Sequence, residues 1–325
     1  MAIKLGNTGI NKAYLGGVEI KKLYLGANVI FDNSVNTDAF IIEVDTTKAG
    51  SASNQFQFTG AEGDYDVIAK QNNIVVATFD NLSNQETITL PSSGVYNLEI
   101  KSKKVNGFNR INFNNSGDKL KIADIKQWGD VAWSSFSSAF RGCSNMLTTA
   151  TDAPNLSNVT TMSQMFRDAT LVNPNTENWD VSNVIIMFRL FFGTIEATSN
   201  VSNWDVSSAE DMGEMFRNTA INPDTTNWDV SSVTNMSGMF LQALNANPNT
   251  SNWDVGSVTT MSSMFTDSNL SEENLTLIYE NWSLLTLQQN VSFSAGTTKY
   301  NASGQAGRDI LVNTYNWSIT DGGQV

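Results

Sequence analysis

The chain has 325 residues, 40% of them hydrophobic and only 16% charged, with no histidine, a single cysteine and a formal net charge of −13. That is ample apolar material for packed cores, and the low charge content is that of a β-rich chain. Without histidine or a second cysteine, disulfide frameworks, Cys or His zinc sites, Cys-His pairs and Ser-His-Asp triads are excluded, and the acidity argues against a nucleic-acid partner.

The amino terminus, Met1-Ala-Ile-Lys-Leu-Gly, shows no apolar run with a small-residue cleavage site, so no secretory signal is expected. The longest apolar stretch, Val184 to Phe192, is broken by Arg189 and too short to span a bilayer, so no membrane insertion is expected either. Residues 1–127 carry 13 basic and 13 acidic side chains, leaving 6 basic and 19 acidic for residues 128–325. The whole net charge therefore sits in the carboxy-terminal part, which suggests separate modules.

Residues 1–32 read as a ribbon of short strands. Ile10 to Gly16 and Ile20 to Gly26 both spell I-x-K-x-Y-L-G, each unit ended by a glycine turn. A ribbon of that size is not stable alone and needs a partner surface. Tyr14, Leu15, Tyr24 and Leu25 are the expected docking residues.

Residues 33–117 give seven short alternating runs: Ala39 to Val44, Asn54 to Phe58, Tyr65 to Lys70, Ile74 to Phe79, Glu86 to Leu90, Tyr96 to Lys101 and Asn109 to Phe113. Their spacing predicts an immunoglobulin-like β-sandwich.

Residues 118–269 are a repeat array. Asn-Trp-Asp-Val occurs at Asn178, Asn203, Asn227 and Asn252, placing tryptophans at 179, 204, 228 and 253. About ten residues after the motif comes Met-x-x-Met-Phe, seen at Met212, Met236 and Met261 and also at Met162; with Phe140 and Phe191 the series has six units. A period near 25 predicts a leucine-rich-repeat solenoid. Trp and Val of each Trp-Asp-Val share a face and read as an inward-facing short strand, and Met-x-x-Met-Phe has the spacing of one inward-facing helical turn. Residues 270–325 predict a cap, with a helix from Leu275 to Trp282 and a terminal strand pair between Val291 and Thr320.

The array offers two candidate surfaces. The aspartates of Trp-Asp-Val, Asp180, Asp205, Asp229 and Asp254, should point outward in a row. Either each closes an Asx turn with the backbone two residues on, or the row binds a ligand or a divalent cation such as Ca2+; no other cofactor is expected. In the unit starting at Trp179, Ile185, Ile186 and Phe188 replace residues that are polar elsewhere, which predicts a subunit or interdomain interface there. No carboxylate pair stands out as catalytic and Cys143 reads as a small core residue, so no catalytic residue is expected.

The stretch Trp228-Asp-Val-Ser-Ser-Val-Thr-Asn-Met-Ser-Gly-Met-Phe240, the entry segment Ile125 to Asn145 and the closing Trp317-Ser-Ile-Thr-Asp-Gly-Gly323 resemble BspA-type leucine-rich-repeat surface proteins over residues 118–323. That resemblance implies a PKD-like domain ahead of the array, which residues 38–113 resemble more loosely. The first thirty residues resemble Tyr-Leu-Gly repeats at the start of tailed-bacteriophage structural proteins. Together these imply a non-enzymatic virion protein, assembled in the host cytoplasm. It would dock to other virion proteins through its amino terminus and display the array to a host-surface glycan or protein. A purely structural virion decoration or connector is the alternative, and a bacterial cell-surface adhesin a second one.

Overall fold

The computed structural model describes residues 38–325 throughout and, before them, the backbone of four short strands, β1 (Ala13–Leu15), β2 (Val18–Ile20), β3 (Lys22–Leu25) and β4 (Asn28–Asp32). These pair antiparallel as β1 with β2 and β3 with β4, and β4 lies beside β8 (Ile74–Ser83). Tyr14 and Leu15 fall in β1 and Tyr24 and Leu25 in β3; their side chains lie outside the described residues.

The fold is mainly β. A six-stranded sheet runs in the order β12 (Leu147–Thr148), β11 (Ile122–Gln127), β5 (Phe40–Asp45), β10 (Val95–Ser102), β7 (Asp64–Gln71) and β8. All its pairs are antiparallel except β11 with β12. A smaller sheet pairs β6 (Gln55–Gln57) with β9 (Thr87–Thr89). Alternation sets the burial: Phe40, Ile42 and Val44 of β5 and Tyr96, Leu98 and Ile100 of β10 point into one core.

Six of the seven predicted sandwich runs are strands, and the seventh is used differently. The amide groups of Phe113, Asn114 and Asn115 donate to the carbonyls of Ala139, Ser138 and Arg141, so residues 109–115 lie along the first repeat and cover its open end. Strand β11 pairs with β5 on one edge and β12 on the other, so the sheet continues across the expected boundary at 117 and 118. Buried side chains form one cluster from Phe40 to Trp317.

From residue 134 on, successive repeats stack, and the ladder joining them runs through Met-x-x-Met-Phe rather than Trp-Asp-Val. Isolated parallel bridges link Thr161 to Ile186, Ile186 to Asp211, Asp211 to Asn235 and Asn235 to Thr260. In the second repeat the amides of Met162, Gln164, Phe166 and Asp168 donate to the carbonyls of Ile186, Phe188, Leu190 and Phe192 at 2.8 to 3.0 Å. Between them the amides of Met165, Arg167 and Ala169 fold back onto the carbonyls of Met162, Gln164 and Phe166. Backbone donors thus alternate between the next coil and the residue three back, leaving few buried groups unpaired.

That pattern requires a left-handed residue at two points per coil. Gln164 (φ 58°) and Asp168 (φ 59°) supply them in the second coil, and Arg189 (φ 56°) and Gly193 (φ 72°) in the third. Tight turns with a left-handed third residue, not the expected helical turn, therefore produce the i, i+3, i+4 spacing of the buried side chains.

Inside, the phenylalanine rings at 140, 166, 191, 216, 240 and 265 stack face to face with centroids 5.3 to 6.0 Å apart. Tryptophans bind the coils together on the other side. The Nε1 groups of Trp204, Trp228 and Trp253 donate to the carbonyls of Thr176, Val201 and Thr225 of the coil before. The carboxy-terminal region repeats the device with Trp282, which donates to Thr250, and Trp317, which donates to Gln288.

Helix α1 (Glu272–Trp282), capped by Ser271, buries Leu275, Ile278, Tyr279 and Trp282. Strands β13 (Ser292–Ser294) and β14 (Ser318–Thr320) pair in parallel around a second helix, α2 (Gln305–Asn313), which packs on α1. Because Phe293 bridges to Met261, this pair extends the ladder beyond the last coil. Buried Asp321 ties the end down, accepting from Tyr279 Oη at 2.6 Å and Arg308 Nε at 2.7 Å.

Candidate functional site

Stacking turns each repeat position into a surface column. The position after each ladder phenylalanine holds Arg141, Arg167, Phe192, Arg217, Leu241 and Thr266 in succession. Two residues before that phenylalanine, the left-handed position holds Ser138, Gln164, Arg189, Glu214, Gly238 and Ser263. Four of the six basic residues of 128–325 thus gather on one face, across four adjacent coils. With coils about 4.8 Å apart, the arginine stripe is about 15 Å long.

Phe192 is the centre of this cluster. The guanidinium carbons of Arg167, Arg217 and Arg189 lie 4.9, 5.0 and 5.6 Å from its ring centroid, and Arg189 is 4.6 Å from the Phe188 ring. Cation–π contact positions these guanidiniums but does not neutralise them. Glu214 does so for two of them, accepting from Arg189 Nη2 at 2.6 Å and from Arg217 Nη1 at 2.7 Å. Burial acts to raise the Glu214 carboxyl, but the hydrogen bonds from Arg189 and Arg217 outweigh it and hold the group below its ordinary value.

In the second coil the equivalent residue is Gln164, whose amide oxygen accepts from Arg167 Nη1 at 3.0 Å. Arg141 donates to Asn114 Oδ1 at 3.1 Å. The carboxylate beside Arg167 is the half-exposed Asp168, 3.3 Å from its Nε. Burial, and then the like charges of Arg141 and Arg189, hold Arg167 below the ordinary guanidinium value against the pull of Asp168. The Nε atoms of Arg141, Arg189 and Arg217 are buried without a hydrogen-bond acceptor among the described residues, and that of Arg167 has only the ion pair with Asp168. The cluster is short of acceptors.

Sequence reasoning missed this face, although the signal is present. Phe140-Arg141, Phe166-Arg167 and Phe216-Arg217 repeat one dipeptide at one position of an array that is otherwise poor in basic residues.

The predicted residues divide among other surfaces. Phe188 packs within its own chain: its ring lies against Gly213 of the next coil, where an added Cβ would come 3.1 Å from Phe188 Cδ2. Where most other coils carry Ser, that glycine makes room for the ring. Ile186 sits in the ladder with 39% of its surface exposed, and Ile185 is half-buried in an open depression shared with Thr160, Asn183 and Glu210. Asp180, Asp205, Asp229 and Asp254 all point outward while the flanking Trp and Val are buried.

Each of those aspartates closes an Asx turn. Asp180 accepts from Ser182 N at 3.2 Å and Ser182 Oγ at 2.6 Å, Asp205 and Asp229 do the same with Ser207 and Ser231, and Asp254 accepts from Gly256 N at 2.9 Å. Asn200, Asp224 and Asn249 make the same turn with Ser202, Thr226 and Ser251. Of the two readings of the row, these bonds are those of the turn. Among the described residues no group of three or more acidic or cysteine side chains is arranged to hold a metal ion.

The arginine face and the aspartate row both lie in the part of the chain that matches a known family: residues 134–225 and 197–305 match the one described as Mycoplasma protein of unknown function, DUF285. The chain belongs to this family. It is related to BspA-like surface repeat proteins, and the two overlapping matches cover over half of the chain. No curated protein and no solved structure matches the chain.

Within the DUF285 segment the carboxylates make stability depend on acid pH. Hydrogen bonds from Ser182, Thr226 and Ser231 hold Asp180, Asp224 and Asp229 below the ordinary 3.8, and Glu214 lies below 4.5. A carboxylate lowered in the folded state stabilises fully above its unfolded value and loses that contribution as pH falls through the folded one. The melting temperature should therefore be level from pH 7 to about pH 5 and fall below about pH 4, modestly because Asp180, Asp224 and Asp229 are solvent-exposed. A melting curve unchanged at pH 2.5 would show that these bonds carry no stability.

Proposed function

We propose that this chain is a non-enzymatic attachment protein of a bacteriophage particle. In this reading residues 1–32 dock to other virion proteins, the sheet that follows, which runs on into β11 and β12, forms an immunoglobulin- or PKD-like spacer, and the stacked repeats up to 269 are a leucine-rich-repeat solenoid of six coils closed by the cap at 270–325. The solenoid faces the host surface, and the particle carries the chain as a homo-oligomer.

The carrying observation is the columned arginine and phenylalanine face. A stack of coils presents side chains at fixed spacing on a scaffold whose own backbone is satisfied, and such a surface suits recognition of an extended ligand. Function is read from this site, since the fold alone hosts many activities. The parallel ladder at 24- to 26-residue intervals supports the solenoid reading, and the paired strands of residues 13–32 support a docking ribbon.

The test is binding of the fluorescently labelled full chain to intact cells, from a panel of Gram-positive, Gram-negative and wall-less bacteria. Saturable binding to at least one of them is expected. Binding to none would overturn attachment and favour a purely structural decoration or connector.

A further inference from the structure

Resting on the attachment reading, we propose that Arg141 and Arg167 bind the carboxylate of an acidic, uronate-type surface glycan. The fourth coil supplies the template. There Glu214 sits between Arg189 and Arg217 and satisfies both forks with one carboxylate. In the second coil the glutamate position is Gln164 and in the first it is Ser138, so Arg141 has only the neutral Asn114 amide and Arg167 the Gln164 amide with the half-exposed Asp168 beside its Nε, where Arg189 and Arg217 share one carboxylate. Four guanidiniums against Glu214 and Asp168 leave the face with two positive charges in excess, in a region where acidic residues outnumber basic ones 19 to 6. The side chains of Arg167 and Arg217 remain 21% and 33% exposed.

Three further features select the ligand class. A planar carboxylate fits the guanidinium fork, as Glu214 already shows within the chain. The aromatic rings of Phe192 and Phe188 lie within the stripe, against the guanidiniums of Arg167, Arg189 and Arg217, and give it apolar surface suited to the C–H face of a sugar ring. A long polyphosphate is disfavoured, because the stripe ends after four coils and residues 128–325 are otherwise strongly acidic.

The experiment titrates the full chain with a linear oligogalacturonate, with its methyl ester, with inorganic polyphosphate and with single-stranded DNA. The free acid should bind, and the neutral ester should not. An Arg141→Gln, Arg167→Gln double variant should weaken binding by at least about tenfold, with its thermal melt confirming that it is folded. Arg167→Lys keeps the charge and removes the fork, and should weaken binding by about three- to tenfold. Equal binding of the ester, tighter binding of polyphosphate or DNA, or unchanged affinity in both variants would overturn the proposal. Cell binding separates the two readings: attachment that survives in the double variant overturns this site alone, whereas a wild-type chain that binds no cell overturns attachment itself.

Discussion

Replacing Lys121 by methionine is expected to lower the unfolding free energy by about 3–5 kcal/mol. Lys121 and Asp118 are 0% and 1% exposed, with their charged atoms 3.7 Å apart. The ammonium donates to the carbonyls of Ser51, Ala52 and Gln55 and to Ser51 Oγ at 2.8 to 3.0 Å. Asp118 in turn accepts from Ser51 N, Ser51 Oγ and Gln57 N at 2.6 to 2.7 Å. Methionine matches the length of the lysine stem but leaves three carbonyls and a carboxylate without their cation in a dry site. That is the case in which breaking a buried pair costs most. Asp118→Asn keeps one acceptor and should cost less than Lys121→Met. Urea unfolding of both variants measures the difference, and a loss under about 1 kcal/mol for Lys121→Met would show that water replaces the ammonium.

This hub was not legible in the sequence. Asp118 and Lys121 show only an unremarkable i, i+3 pairing, and their partners are backbone groups of a loop more than 60 residues earlier. Gly50 closes the loop against them at φ +152°, where an added Cβ would lie 2.2 Å from Asp118 Oδ1. Nothing in the local sequence distinguishes that glycine from an ordinary turn residue.

The array was far more legible because its information is periodic. Trp-Asp-Val shows by alternation alone that Trp179 and Val181 point inward and Asp180 outward, and they do. The backbone conformation of Met-x-x-Met-Phe was not readable in the same way. Consecutive tight turns bury residues at i, i+3 and i+4 as a helical turn does. The left-handed positions that mark the turns hold Gln164, Arg189 and Glu214 in three successive coils, and only some of the others hold the glycine or asparagine that usually announces such a turn, as at Gly193, Asn218 and Gly238. The ladder bonds between coils offset that local strain. The contact of half-buried Phe188 with Gly213 was unreadable for a related reason: Gly213 lies one repeat away and is recognisable only by comparing the same position across coils.

Phe216→Ala should be the most damaging change within the stack, at about 3–5 kcal/mol. The ring is fully buried, and its centroid lies 6.0 Å from Phe191, 5.6 Å from Phe240 and 6.4 Å from Trp228. Truncation leaves an apolar cavity that stays dry and removes the contact with the coil on either side at once. In a repeat array each coil is held mainly by its two neighbours, so one defect in the fourth coil weakens two interfaces and lowers cooperativity between the halves of the stack. Urea unfolding followed by tryptophan fluorescence and by far-ultraviolet circular dichroism should then give separate midpoints, where the wild-type chain gives coincident ones. Phe216→Leu retains most of the volume and should cost less than about 1.5 kcal/mol. Arg141 and Arg167 belong to the first two coils and do not touch Phe216. Oligogalacturonate affinity of folded Phe216→Ala protein should therefore stay within about twofold of wild type. A larger loss would mean that the arginine stripe is held in register by the whole phenylalanine column and not by its own coils.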